Sequence, residues 1–267
     1  VPVAIKLGRK PAVADPRVPF LAKLTAAKEL PTPPLVSDWY AAVDGWGMLG
    51  NDAVGDCVEA CIGHATLVFT SYAGEVRQPT TDEAIALYSA ITGYKADDPA
   101  TDNGTVILGP GGAMEYWIRT GVTFGGAESK ATAYARVSIA SDCLWIRQAI
   151  EIFGGVMLGI ILPQNVVADT TVPFVWDDPS GPVAGGHCVW LCGYDFSGSS
   201  PWFDLVSWGQ RYRMTQKFLE GTFEEAVAIY DPDSLNARGV TGADFDPEQL
   251  LGFMQTIRAK GLGPKGA

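Results

Sequence analysis

From Cys57 the run CVEACIGHATLVFTSY is small or apolar on every side, which predicts a buried helix with Asp56 at its N-cap. Thr81–Ile91 predicts a second helix, capped by Thr80 or Thr81, with Asp82 and Glu83 in its first turn. Ala113–Thr120 reads as a short helix ended by Gly121. Ser141–Phe153 has an amphipathic period, with Ser141 as cap and Gly154-Gly155 as stop. The pattern then turns to β: Val156–Leu162, His187–Tyr194, Phe203–Trp208 and Ala226–Tyr230 read as strands between turns rich in Gly, Pro, Asp and Ser. Asp246-Pro247-Glu248 opens a last helix to about Ala259. Helices first and strands second predict an α+β fold with a helical lobe and a sheet lobe.

Residues 1–40 form a different region. Pro2, Pro11, Pro16, Pro19, Pro31, Pro33 and Pro34 interrupt any long helix, and only Leu21–Leu30 has helical character. The expected organisation is an extended arm over 1–40, a main domain over 41–235 and a C-terminal helix and tail over 236–267. The main domain divides into a helical lobe (about 41–140) and a β lobe (about 155–235).

Composition narrows the function classes. Of 267 residues, 47% are hydrophobic and 18% charged, as in a globular chain. The net charge of −11 argues against a nucleic-acid surface. That charge divides: the first 30 residues carry six bases and two acids, so the arm is basic and the body acidic. No apolar stretch is long enough to span a bilayer, and no signal peptide is visible at the N-terminus. Five cysteines, an odd number, argue against a disulfide scaffold and for a reducing compartment or an assembled particle. Glycine-rich phosphate loops of the Walker or dinucleotide type are missing, so no nucleotide cofactor is expected.

Three segments carry candidate chemistry. Asn51-Asp52-Ala53-Val54-Gly55-Asp56-Cys57 is a turn-rich loop that places a cysteine at a helix N-terminus, where the macrodipole favours thiolate. Gly185-Gly186-His187 opens an apolar strand that continues to Gly193-Tyr194. Phe203-Asp204-Leu205-Val206-Ser207-Trp208-Gly209 is a strand ending in Ser-Trp-Gly. The chain has only two histidines. His64 lies two helical turns from Cys57, roughly 10 Å along the helix, too far for a hydrogen bond to the sulfur. His64 is therefore expected as a core histidine and His187 as the base. A Cys57–Cys61–His64 metal site can be drawn, but it offers three ligands from one apolar helix, and no metal is expected.

The set resembles papain-like cysteine peptidases over about residues 45–235. Gly55-Asp56-Cys57 matches the nucleophile segment, and Asn51 stands six residues ahead, where the family has an oxyanion-hole glutamine. His187 with Gly193-Tyr194 matches the histidine strand, and Ser207-Trp208-Gly209 the last element. The resemblance implies Cys57 as nucleophile, His187 as base, Asn51 as oxyanion donor and Trp208 as a cover for the imidazole. It also shows a departure. The family's orienting asparagine falls on Val206, which accepts no hydrogen bond. Asp204, on the same strand face roughly 7 Å away, is the available substitute.

Together with the arm, Leu-Pro-Thr-Pro-Pro (30–34) and Trp-Gly-Met-Leu-Gly-Asn-Asp (46–52), the chain looks like papain-fold proteins encoded among bacteriophage and prophage structural genes. That resemblance implies a virion structural or decoration protein, made in the bacterial cytoplasm and carried in the particle. Its arm would bind other virion proteins or copies of itself, and its Cys-His dyad would be vestigial. The competing expectation is an active peptidase or amidase acting on a peptide substrate. A removable pro-segment is a further option, although the stretch ahead of Cys57 is short for one. Gly109-Pro110-Gly111-Gly112 reads as a turn that could also line a cleft.

Overall fold

The computed structural model describes residues 5–21, 32–140, 142–168 and 175–235. In chain order these give β1 (Val36–Asp38), α1 (Cys57–Ala73), α2 (Thr81–Thr92), α3 (Ala113–Arg119), β2 (Val122–Phe124), β3 (Ala127–Ser129) and β4 (Ala133–Arg136). There follow α4 (Leu144–Phe153), β5 (Val156–Pro163), α5 (Gln164–Ala168), β6 (Val175–Trp176), β7 (Val183–Asp195), β8 (Trp202–Ser207), β9 (Gln210–Thr215), α6 (Gln216–Thr222) and β10 (Phe223–Tyr230). The α+β expectation is met. The helical stretch expected over Leu21–Leu30, apart from Leu21 itself, the Ser141 cap and the helix expected over 246–259 lie outside the described residues.

The long sheet runs β4-β10-β5-β7-β8-β9-β6, antiparallel except for the β6–β9 pair. β1 pairs with Gly193–Asp195 of β7, extending the edge that β5 leaves at Leu191. The two sheet faces bury two cores, and strand alternation decides which residue serves which. Val189 and Leu191 of β7 face one core, with Leu158 and Ile160 of β5, Phe203 and Leu205 of β8, and the apolar side of α4. Cys188, Trp190 and Cys192 face the other, with Val206 and the buried helix α1.

Local signals explain the helix ends. Thr80 and Glu83 form a reciprocal capping box at α2, as the sequence suggests. At α1 the expectation fails in part: Asp56 takes the N-cap position but makes no side-chain cap bond. α4 starts at Leu144, after Cys143 in a left-handed conformation. Among the described residues, no helix is long and apolar enough to cross a membrane.

Candidate active site

The start of α1 and the start of β7 meet at the boundary between the two cores. Cys57, the first residue of α1, is buried, and so is His187. The cysteine sulfur faces the backbone N–H groups of Gly8 and Cys188, the residue after the histidine. Burial pushes the Cys57 thiol well above its ordinary pKa, and these two N–H groups offset that only in part. Burial, with the Arg9 guanidinium nearby, pulls His187 down to about 3. Cys57 is therefore held as a neutral thiol and His187 as a neutral imidazole, and no hydrogen bond joins the two.

His187 Nε2 lies 2.7 Å from Ser207 Oγ, and Nδ1 has no hydrogen-bond partner. Trp208 stacks on the imidazole with ring centroids 4.6 Å apart and planes 20° from parallel. Trp208 itself adopts φ 46°, a left-handed bend that turns the chain into the β8–β9 hairpin.

Asp204 does not stand in for the missing asparagine. Its carboxylate sits 3.5 Å from Tyr40 Oη and 3.5 Å from Arg213 Nε, while the imidazole is held by Ser207. The reason is strand alternation. Val206 faces the α1 core, whereas Phe203 and Leu205 face the other. Ser207 continues that second face, on which His187 lies. The period-2 pattern of β8 contained this signal, but alignment to the family motif placed the orienting residue on Val206, one position early. His64 is the core histidine expected: Nε2 is 2.9 Å from the Gly47 carbonyl, and Trp46 packs edge-on against the ring. Among the described residues, no cluster of three or more His, Cys, Asp or Glu is arranged to hold a metal, and all five cysteines are free thiols.

The larger surprise is the arm. Residues 6–10 do not extend away from the domain; they thread past Cys57 between Asn51 and Thr105 on one side and Gly186 of β7 on the other. Lys6 N–H donates to the Asn51 carbonyl at 2.8 Å. The Lys6 carbonyl in turn accepts from Asn51 Nδ2 at 3.3 Å and from Trp208 Nε1 at 3.5 Å. The Gly8 carbonyl accepts from Thr105 N–H at 2.8 Å, Arg9 N–H donates to the Gly186 carbonyl at 3.2 Å, and Lys10 N–H to the Thr105 carbonyl at 2.9 Å. The segment is thus a strap hydrogen-bonded to both walls. Its fit depends on glycine against glycine: a Cβ on Gly8 would lie 1.7 Å from the Gly55 carbonyl oxygen.

The helical-lobe wall is braced from behind. Asp102 accepts from Gly55 N–H at 3.0 Å and from Tyr88 Oη at 2.7 Å, and Thr105 Oγ1 donates to Glu59 at 2.7 Å. Desolvation raises Glu59 to about 8. Asp56, beside it, is raised to about 9 by burial and then by the Glu59 charge. Burial thus pushes both acids toward their neutral forms, which lessens the negative charge at the start of α1.

This architecture is the papain-like cysteine protease fold. Its solved relatives include xylellain, a cysteine protease from Xylella fastidiosa (TM-score 0.58, 13% identity, covering 86% of this chain and 97% of that one). They also include procathepsin L 3 from the larval midgut of Tenebrio molitor (TM-score 0.59, 13% identity, 86% and 77%). A third is procathepsin B S9 from Trypanosoma congolense (TM-score 0.57, 11% identity, 85% and 86%). No protein-family signature matches the chain, and no curated protein sequence matches it. The likeness is one of fold, at identities far below those that carry function.

Proposed function

We propose that the chain is a papain-like thiol peptidase or amidase whose cleft is closed by its own residues 6–10. The observation that carries this reading is the Ser207 Oγ–His187 Nε2 contact of 2.7 Å, because it supplies the orienting group that the Val206 position lacks. With Nε2–H donating to Ser207, Nδ1 bears the lone pair and serves as the base. Cys57 is the nucleophile, and Asn51 Nδ2, now spent on the Lys6 carbonyl, is the oxyanion donor. When the strap leaves, water and substrate reach the pair. The desolvation that holds the thiol protonated is then relieved, and the helix N-terminus favours the thiolate.

The strap is not bound as a substrate. It presents to the sulfur the Gly8 N–H, a donor, rather than a carbonyl carbon. Its Arg9 guanidinium pairs with Glu224 and Glu225 of the same chain, whereas Lys6 and Lys10 are exposed.

The second reading is a scaffold protein of a phage particle. The observation that favours it is the same closed dyad, a neutral pair sealed from solvent. The two readings differ in the outcome of strap removal. A full-length Gly8→Leu variant cannot reseat the strap against Gly55, and it should hydrolyse a mixture of fluorogenic peptidyl amides. Cys57→Ala in the same chain should abolish that activity. Absence of any Cys57-dependent hydrolysis, with the fold intact by circular dichroism, leaves the scaffold reading.

A further inference from the structure

Three of the five thiols lie together where α1 meets β7. Cys57 and Cys61 stand one helical turn apart, and Cys188 joins them in the same buried core from the strand. The Cys188 thiol hydrogen-bonds with the Cys61 thiol. The Cys57 sulfur lies against the Cys188 backbone N–H and within electrostatic reach of the Cys188 sulfur. The other two thiols are elsewhere. Cys192 Sγ lies 3.9 Å from the Asp204 carbonyl, four residues and roughly 13 Å along β7 from Cys188, and Cys143 belongs to the other core.

Helix spacing decides which of the three can bond. Residues four apart on a helix hold their Cβ atoms about 5–6 Å apart, whereas a disulfide needs about 3.5–4.5 Å. Cys57 and Cys61 therefore cannot bridge each other while the first turn of α1 stays intact. Cys188 meets both, so it is the one that can pair with either. The strap covers this group from the cleft side: Gly8 N–H faces the Cys57 sulfur, and the Arg9 guanidinium lies close enough to act on Cys188. Arg9 fits there because the residue across the sheet from Cys188 is Gly159, where a Cβ would lie 2.9 Å from Arg9 Cδ. Burial, and then the Cys61 hydrogen bond, push the Cys188 thiol up, so under the closed strap it rests protonated.

We propose that Cys57, Cys188 and Cys61 form a thiol relay that converts oxidation of Cys57 by a small hydroperoxide into a Cys61–Cys188 disulfide. The relay goes beyond the peptidase reading: it rests on the opening of the strap and needs no hydrolysis. With the strap away, the Cys57 thiolate attacks one oxygen of the hydroperoxide. The O–O bond breaks, Cys57 becomes a sulfenic acid, and the remaining oxygen leaves as water or an alcohol. Cys188 then attacks the Cys57 sulfur, the S–O bond breaks, and water leaves from a Cys57–Cys188 disulfide. Cys61 attacks the Cys188 sulfur in turn, and Cys57 departs as a thiolate that takes the proton Cys61 gives up. In sum two thiols lose two hydrogens and two electrons to the hydroperoxide. Cys57 is restored before it can pass to the irreversible sulfinic acid, and α1 is tied to β7 at the residue beside His187.

The test is a disulfide map. Full-length Gly8→Leu is exposed to limiting hydrogen peroxide and blocked with N-ethylmaleimide. It is digested without reductant by endoproteinase Glu-C, which cuts after Glu59 and so separates Cys57 from Cys61. The expected product is a Cys61–Cys188 bridge with Cys57 recovered as a free thiol, formed several-fold faster than in wild type. In the same chain, Cys61→Ala should trap Cys57–Cys188. Cys188→Ala should raise dimedone labelling of Cys57 several-fold and let it run on to sulfinic acid, and Cys192→Ala should leave the bridge unchanged. If Gly8→Leu does not fold, Arg9→Ala, which frees the strap from Glu224 and Glu225, takes its place. Three results overturn the relay and leave the thiols as packing: a Cys57 that resists peroxide in the open chain, a Cys57 that oxidises with no bridge formed, or a bridge that forms equally in Cys57→Ala. Hydrolysis of the fluorogenic amides is scored on the same chain. A bridge without hydrolysis overturns the peptidase reading alone, and hydrolysis without a bridge overturns the relay alone.

Discussion

Strand β7 is two different materials along one backbone. From Cys188 to Tyr194 it is core: Val189 and Leu191 pack into one apolar cluster, Cys188, Trp190 and Cys192 into the other. From Val183 to His187 it is a cleft wall. Gly185 and Gly186 bring the backbone so close to the strap that a Cβ on Gly186 would lie 2.3 Å from the Arg9 carbonyl oxygen. The far half is buried by the domain itself. In the near half only His187 is buried, and Gly185 and Gly186 lie against Leu7 and Arg9 of the N-terminal chain. Burial of the first kind is permanent and apolar, and it stabilises the fold. Burial of the second kind covers a histidine, a thiol and a carboxylate, and it lasts only while the strap stays. Titratable groups placed under a removable cover are the physical signature of a site rather than of a core.

That contrast can be broken first at the permanent half. Trp190 is fully buried and meets Phe69 edge-on at 5.5 Å. Trp190→Ala should cost about 3–5 kcal/mol in urea denaturation, with no local opening beforehand. At the conditional half, Arg9→Ala should cost less, about 2 kcal/mol, because water can enter and solvate the two carboxylates. Its signature would instead be trypsin cleavage after Lys6 at a rate the folded wild type does not show. Equal protection in both chains would mean that Arg9 does not hold the strap.

Ser207→Ala sharpens the comparison within the site. It should change stability by about 1 kcal/mol, yet in the Gly8→Leu chain it should slow Cys57 alkylation several-fold. Asp204→Asn should leave the alkylation rate alone. The smallest effect is on pH dependence. Asp56 and Glu59 have folded pKa values raised to about 9 and about 8, so their stabilising contribution is full at low pH and is lost as pH rises through those values. The buried histidines act oppositely, since His64 and His187 are lowered to about 4 and about 3 and withhold stability only as pH falls below their ordinary 6.5. Between pH 6.5 and 8 the histidines no longer contribute and the raised acids remain, with Glu225, raised to about 7, adding at the lower end. The urea midpoint should fall across that window in wild type and fall less steeply in Asp56→Asn/Glu59→Gln.

The fold was largely legible in the sequence because its strongest signals are local. Apolar periodicity located α1, α2, α4, β5 and the cores of β7, β8 and β10, and the Thr80–Glu83 box fixed one helix start. Six strands gave no clear local signal: β1, β2, β3 and β6 are only two or three residues long, β4 is short and only partly apolar, and β9 alternates exposed Arg211 and Arg213 with buried Tyr212 and Met214. At the candidate site, the structure buries Cys57, His187, Asn51 and Trp208 and stacks Trp208 on the imidazole, while no hydrogen bond joins Cys57 to His187. Ser207 was missed through a one-residue displacement that strand parity corrects. The strap was hidden for a different reason. Its docking is written in Gly8, Gly55, Gly104 and Gly186, four glycines far apart in sequence that make sense only when backbones touch. The charge split was visible, but charge alone cannot say that Arg9 answers Glu224 and Glu225 of its own chain.

The central claim is that a competent dyad lies under a removable strap. The direct measurement is iodoacetamide labelling of Cys57, followed by mass spectrometry at pH 6.5, in full-length wild type, Gly8→Leu and Gly8→Leu/His187→Ala. The account predicts slow labelling in wild type, labelling at least about tenfold faster in Gly8→Leu, and a return to slow labelling when His187 is removed. Gly8→Leu labelling no faster than wild type, or fast labelling that ignores His187, would contradict it.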